Sequence, residues 1–410
     1  MGLAEALAAV DQPQPKRFRR GTHRIECPSD TLARVRPHMT RMGITRLGNI
    51  TGLDRIGIPV AIAVRPNSRS VSVAQGKGFD LPQAMASALM EACETFHAEE
   101  TGPCRVASYR DLARGETVVD PETLCSGIRP FESRAAISWI EGYDLLRREA
   151  CWVPAEIVHT DYTGELDGYF LAGSNGLASG NHLMEAINAA LYELVERDAV
   201  ALWVAQPIQR RARRALDLAS IDDPDCSALI AKYEIAGITV RVWDVTTDIG
   251  IAAFLCDIRD RSAGDPRRLR RHHGSGCHPD RAIALSRALT EAAQTRLTYI
   301  AGIRDDLSPA EYEEALESGI GDVLLDALAR EGGAVSFRDV PSFTSDDLAE
   351  DFRWAVSRLS AVGIEGIIAV DLTRPDFGIP VVRLVIPGLE WDRDHPNYTP
   401  GLRAREIASR

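Results

Sequence analysis

Ala84-Met-Ala-Ser-Ala88-Leu89-Met-Glu91-Ala-Cys-Glu94 returns twice along the chain. It recurs as Ala186-Ile-Asn-Ala-Ala190-Leu191-Tyr-Glu193-Leu-Val-Glu196 and as Ala284-Leu-Ser-Arg-Ala288-Leu289-Thr-Glu291-Ala-Ala-Gln294. The shared pattern is A-x3-A-L-x-E-x2-E/Q, and its first glutamates are 102 and then 98 residues apart. Each copy is predicted to be a helix, because Ala, Leu, Met and Glu are strong helix formers and no Gly or Pro interrupts. Alanines at i and i+4 share one face and permit close packing. The two carboxylates at i and i+3 also neighbour each other and repel by a few tenths of a kcal/mol. That cost, repeated, calls for a compensating cation.

A polar, glycine-containing segment precedes each helix: Gln75-Gly-Lys77-Gly78, then residues 174–181 around Gly176 and Gly180, then His272-His273-Gly274-Ser275-Gly276-Cys277-His278. Gly78 and Gly180 stand 13 residues before their first glutamate, and Gly276 stands 15 before Glu291. These segments are predicted to be loops, where glycine lets the backbone approach a ligand and a helix N-terminus attracts an anion. None has the P-loop spacing G-x4-G-K-[ST] or the dinucleotide spacing G-x-G-x-x-G.

The rest of the sequence bounds the function. At 410 residues the length suits two or three domain-sized units or one large one, with enough core to need no disulfide or metal. The formal net charge of −12 argues against a nucleic-acid partner, which needs a basic footprint. No stretch approaches a membrane span, and the N-terminal apolar stretch precedes its basic cluster, the wrong order for a secretory signal, so the expected location is cytoplasmic. Position 6 is Ala, so the myristoylation pattern fails. The eight cysteines form no C-x-x-C pair and are expected to be reduced thiols.

Convergent carboxylates accompanied by arginines suit magnesium and polyphosphate. Mg2+ prefers carboxylate and water oxygens and bridges to substrate phosphates, and arginine makes bidentate, permanently charged phosphate contacts. Arg197 follows the second copy directly; Arg287 and Arg296 flank Glu291. Lys77 in the first glycine segment joins them as a nucleotide-contacting candidate. Such a set reads as nucleotide binding and phosphoryl transfer. A short basic run, Lys16-Arg-Phe-Arg-Arg20, lies upstream. The competing chemistries are weaker: His97, His159, His182, His272, His273 and His278 offer zinc ligands or bases, most compactly in the run from His272 to His278, but H-E-x-x-H and G-x-S-x-G are absent and Cys93 and Cys277 lack an identifiable partner.

These residues resemble the YcaO family over positions 16 to 390. The carrying segments are GITRLGNITGLDRIGIPVAIAVRPNSRSVSVAQGKG, the helix ASALMEACE, SNGLASGN-x3-E, YELVERDA and SRALTEAAQTR. The wording is most similar to the subgroup that works with a TfuA partner. The resemblance implies an α+β fold with sheets packed against helices, here with the threefold glycine-segment and helix pattern. It implies ATP and Mg2+ as cofactors, and a peptide or protein backbone amide whose oxygen is phosphorylated after a nucleophile attacks its carbon. Carried over position by position, Glu91, Glu94, Glu193, Glu196 and Glu291 would be metal ligands. Lys16, Asn181 and Glu185 would touch the nucleotide, and Arg197 and Arg287 would contact phosphate and, with Glu291, act in catalysis.

Three departures bear on the chemistry. The family's Ser before E-x-x-E-R is Ala189, Glu94 is followed by Thr95 instead of Arg, and the C-terminus HPNYTPGLRAREIASR lacks the P-x-P-x-P ending of azoline formation. The resulting expectation is thioamide formation with a TfuA-like partner and a sulfide or sulfur-carrier donor, by a homodimer. Azoline formation with a separate cyclodehydratase partner is the alternative, and a non-catalytic peptide-recruiting scaffold is a third reading. Residues 1–40 are expected to be an N-terminal extension, 41–395 the catalytic domain and 396–410 a tail.

Overall fold

The structure, a computed structural model, describes residues 12–260, 271–304 and 334–409, together with Leu325, Ala327 and Leu328. The start of the N-terminal stretch, residues 1–11, lies outside the described residues.

Each copy of the repeated pattern is an α-helix that follows the last strand of its own antiparallel unit. Strands β1 (Arg46–Asn49), β2 (Val60–Val64) and β3 (Val73–Lys77) form the first sheet, and helix α2 (Leu81–Ala98) leaves its end after α1 (Pro28–Val35) has packed alongside. The central sheet has six strands in the order β4 (Arg105–Ser108), β5 (Ala136–Asp144), β13 (Ile368–Asp371), β14 (Val381–Val385) and β7 (Leu177–Ser179), with β6 (Glu149–Pro154) also on β5. Helix α3 (Leu183–Ala205) follows β7. The third sheet runs β9 (Ile238–Asp244), β10 (Ala253–Asp260), β11 (Arg271–Cys277), with α4 (Pro224–Ile235) packed on β9 and α5 (Arg281–Ala301) following β11. A short parallel pair joins β8 (Leu216–Asp217) to β12 (Val335–Ser336).

The three units share one local design. Four positions before the first alanine of the pattern, Asp80, His182 and Asp280 cap their helices by accepting a backbone N–H, from Gln83, Met184 and Ala282. The paired alanines and the following leucine are at most 1% exposed in all three copies. They form the faces on which the sheets rest.

The first and third glycine segments are strands, not the loops expected. A Cβ on Gly76 would fall 2.2 Å from the Ala84 carbonyl and 2.1 Å from the Ala88 nitrogen. A Cβ on Gly276 would meet Ala284 and Ala288 at 2.1 and 2.6 Å. Glycine and the A-x3-A stripe are therefore two halves of one contact, strand backbone laid directly on helix backbone.

Both segments set apart in the sequence pack onto this core. Pro15 bridges Asp347 next to α6 (Leu348–Ala361). In α7 (Leu402–Ala408), Arg403 pairs with the buried Asp198 of α3 at 3.0 Å. All eight cysteines are free thiols, five of them buried. Among the described residues no helix is long and apolar enough to cross a membrane.

Candidate functional site

The three helices bring their glutamates to one centre through a cyclic set of contacts. Seven positions before the first alanine of each copy stand Lys77, Ser179 and Cys277. Each reaches a glutamate on the helix of a different unit. Lys77 Nζ pairs with Glu291 at 2.7 Å. The Ser179 N–H and hydroxyl donate to Glu94 at 2.8 and 2.7 Å. The Cys277 N–H donates to Glu196 at 2.9 Å. Ser275 adds a hydroxyl that donates to Glu196 at 2.8 Å and Glu291 at 3.3 Å.

The charge in this ring is not balanced from within. Burial, reinforced by Glu193, pushes Glu91 up to about 7 although Lys77 and Arg304 pull the other way. Burial, then Glu91 and Glu193, pushes Glu94 up to about 8 despite the Ser179 hydrogen bonds. Glu193 is raised as well, by burial first, with Arg197 opposing and Glu196 reinforcing. Burial would also raise Glu291, but Lys77 and Arg197 hold it down to about 2. Carboxyls kept protonated by burial, with one another's charge adding to it, are ready to exchange protons for a cation.

Cations stand around the ring with donors to spare. Arg197 lies 3.7 Å from Glu193, and its Nε is buried without a partner. Burial opposes its charge, but Asp392, Glu196, Glu193 and Glu291 push its pKa above the ordinary arginine value. Arg287 likewise has an unpartnered buried Nε. Arg383, on β14, is 1% exposed; one nitrogen donates to the Gly173 carbonyl at 2.7 Å and the other, Nη1, has no partner. Burial brings it down to about 10 with Glu193 and Tyr162 nearby. Crowded acids and unspent guanidinium donors fit a divalent cation together with the oxygens of a polyphosphate.

Other candidates from the sequence sit elsewhere. Both oxygens of Glu185 are taken by backbone N–H groups, of Ile25 at 2.7 Å and Asn181 at 2.5 Å. Asn181 Oδ1 accepts from Arg34 at 2.6 Å and Thr31 at 3.1 Å. The pair therefore fastens the N-terminal segment to the start of α3. Arg296 is ion-paired with Asp54 at 2.9 Å, with Asp260 at 3.7 Å. Five residues beyond Glu291, it points about 140° further round α5. Lys16 is buried against Asp351 at 2.5 Å.

Asp351, His23 and His278 have ligand atoms within 4.8 Å of one another, in a small cavity also lined by Glu185, Tyr192 and Arg287. Burial first, then Lys16, Arg19 and Arg24, pushes His23 down to about 3. The same cations make this trio a poor home for a divalent ion.

The repeated pattern assigns no role to Ser179, Ser275 or Arg383. A signal existed for two of them: Ser179-Gly180 and Ser275-Gly276 repeat one dipeptide before two of the helices. Arg383 gave none beyond a lone charge in the apolar run VVRLV.

Three sheet–helix units that converge on a ring of acids edged with arginine define a metal-assisted, polyphosphate-binding protein. The chain belongs to the YcaO family: residues 75–390 match the family described as YcaO cyclodehydratase, ATP- and Mg2+-binding. ATP and Mg2+ are accordingly its cofactors. It is 39% identical over 392 residues, 93% of this chain and 92% of the relative, to an uncharacterized protein in the tfuA 3' region of Rhizobium leguminosarum bv. trifolii. It is 35% identical over 371 residues to an uncharacterized protein of Methanothermobacter thermautotrophicus, covering 88% and 94% of the two chains. Among solved structures, a heterocyclase in complex with substrate and cofactor matches at a TM-score of 0.79 and 26% identity over 93% of this chain. This chain spans 54% of that heterocyclase's length. YcaO from Methanopyrus kandleri, bound with AMPPCP and Mg2+, shares the fold at a TM-score of 0.72 and 24% identity, covering 94% and 98%.

Proposed function

We propose that this chain uses ATP and Mg2+ to activate a backbone amide of a peptide or protein and converts it to a thioamide. The sulfur source is hydrosulfide or a sulfur carrier, and a TfuA-like protein is the partner. The carrying observation is the ring of five glutamates from three helices, edged by Arg197 and Arg287 with unpartnered buried nitrogens. The relative in the tfuA 3' region supports the partner.

Glu91, Glu94, Glu193, Glu196 and Glu291 would hold the metal, which when bound neutralises phosphate charge and orients the terminal phosphoryl group. Arg197 and Arg287 spend their free donors on phosphate oxygens as the charge shifts. Lys77 keeps Glu291 ionised and aligned, and Ser179 orients Glu94 by hydrogen bonding. Glu185 and Asn181 position the N-terminal segment instead of touching the metal. A homodimer in the cytoplasm completes the proposal.

The test is mass spectrometry of a proteome from a strain lacking this gene. The extract is incubated with the full chain, the TfuA-like protein, Mg·ATP and hydrosulfide. A peptide that exchanges one oxygen for sulfur supports thioamide formation. Loss of one water supports the azoline reading, and no change with no ATP consumed overturns both.

A further inference from the structure

A second cavity, about 80 Å³, is lined by Arg197. Arg197, Ser275 and Glu291 line it together with His273, Asp392 and Asp394, of which Ser275 is buried and His273 and Asp394 are exposed. His273 and Ser275 lie two apart on β11, so they share a strand face with side chains about 7 Å apart. Ser275 touches Glu196 and Glu291, so His273 stands one step outward from the carboxylate ring. Its Nε2 faces Asp394 Oδ2 at 3.5 Å, and both side chains are more than half exposed.

We propose that His273, oriented by Asp394 at the mouth of this cavity, is the base that takes the nucleophile's proton during amide activation. With Nε2–H turned to Asp394, the lone pair sits on Nδ1, which is the arrangement that an acid–base imidazole needs. The step balances. Hydrosulfide adds to the amide carbon, whose carbonyl pair moves to oxygen, and that oxygen takes the terminal phosphoryl group of ATP as the β,γ phosphorus–oxygen bond breaks and ADP leaves. The carbon–oxygen bond then breaks, phosphate leaving with the electron pair, while the sulfur–hydrogen bond pair becomes the carbon–sulfur double bond. The released proton goes to Nδ1. A side-chain nucleophile would need the same acceptor for its own proton.

The surrounding charges favour this role. Asp394 raises the His273 pKa above its usual value, with Arg271 opposing and Asp257 assisting. Arg393 and Asp392 flank it from the same segment as Asp394, and Arg197 and Glu291 face it across the cavity. Lys77 and Arg197 neutralise Glu291, so the nearest ring carboxylate is a poor proton acceptor.

This inference rests on the amide-activating reading, and its experiment separates the two. His273→Asn and Asp394→Asn are compared with the wild-type chain in the proteome assay, with Mg·AMPPCP affinity measured alongside. General-base loss predicts a fall in turnover of about 10²–10⁴-fold for His273→Asn. AMPPCP affinity should stay within about threefold of wild type, and Asp394→Asn should move the acidic limb of the pH–rate profile downward. Full turnover in His273→Asn overturns the inference while the amide-activating reading survives. Equal loss of turnover and AMPPCP affinity also overturns it, because that is a nucleotide-site or folding defect. A wild-type chain that consumes no ATP overturns the reading and the inference with it.

Discussion

Binding of Mg·AMPPCP should release protons, and the number follows from the ring. In the metal-free chain Glu91 titrates at about 7 and Glu94 at about 8. At pH 7 the first therefore carries about half a proton and the second about nine-tenths, and metal ligation requires both to be ionised. Between one and one and a half protons should leave per site at pH 7, falling toward zero above about pH 9. Affinity should rise with pH by up to about two log units per pH unit below 7, and flatten above 8. Isothermal titration calorimetry in buffers of different ionisation enthalpy counts these protons directly. Glu94→Gln subtracts the nucleotide's own proton and should lower the count by about nine-tenths. Heats that do not depend on the buffer would refute the reasoning, because the carboxylates would then be ionised without metal. The same shifts fix a stability trend. A carboxyl whose folded pKa lies above its ordinary 4.5 stabilises the metal-free fold at acid pH, and that contribution drains away as pH rises toward 8. Mg·AMPPCP should restore it, so the ligand-induced rise in Tm grows between pH 6 and 8.

Three further outcomes follow from the contacts. Ser179→Ala removes the hydroxyl hydrogen bond that aims Glu94 and keeps the backbone one, and should weaken Mg2+ affinity about 10–100-fold with secondary structure retained, read by calorimetry. Gly276→Ala drives a methyl into the Ala284 carbonyl and should destabilise the chain by about 1–3 kcal/mol or more in urea unfolding, whereas an unchanged midpoint would mean β11 does not lie on α5 as described. Lys16→Met leaves Asp351 buried and unpaired and should cost about 3–5 kcal/mol at pH 7 without any nucleotide present; a loss confined to nucleotide affinity would contradict the ion pair.

The sequence carried the helices and their glutamates because the pattern is local: A-x3-A, a leucine and two acids fall within eleven residues. It misread the strands before them. β11 reads His-His-Gly-Ser-Gly, with none of the β-branched residues that usually mark a strand, and its extended form is imposed by contact with α5. That contact is legible only once glycine and alanine are read as a pair at a spacing of eight. Asn181 and Glu185 are carried to the nucleotide only by the family's N-x3-E match. Their partners, Arg34 and Ile25, arrive from about 150 residues upstream, and no local pattern encodes that. Arg296 was avoidable, since helical phase alone separates it from Glu291. Arg383 was not, because its neighbours in VVRLV announce only a buried strand.

The ring is cyclic in its contacts but unequal in its chemistry, and the inequality points to where the reaction runs. Ser179 and Cys277 donate neutral hydrogen bonds to Glu94 and Glu196, whereas the corresponding residue of the first unit is a lysine. The third helix, which receives that lysine, also carries Gln294 where its two counterparts carry a second glutamate. One sector thus has less negative charge and an added cation, and Glu291 stays ionised there while Glu91 and Glu94 hold protons. Arg197 and the cavity bearing His273 open on this same sector. A bound cation is drawn to the acid-rich side, and incoming charge on phosphate or nucleophile is drawn to the other. Exchanging Lys77 and Ser179 would reverse that gradient with every backbone contact retained. The outcome expected is a chain that still binds Mg2+ but no longer turns over.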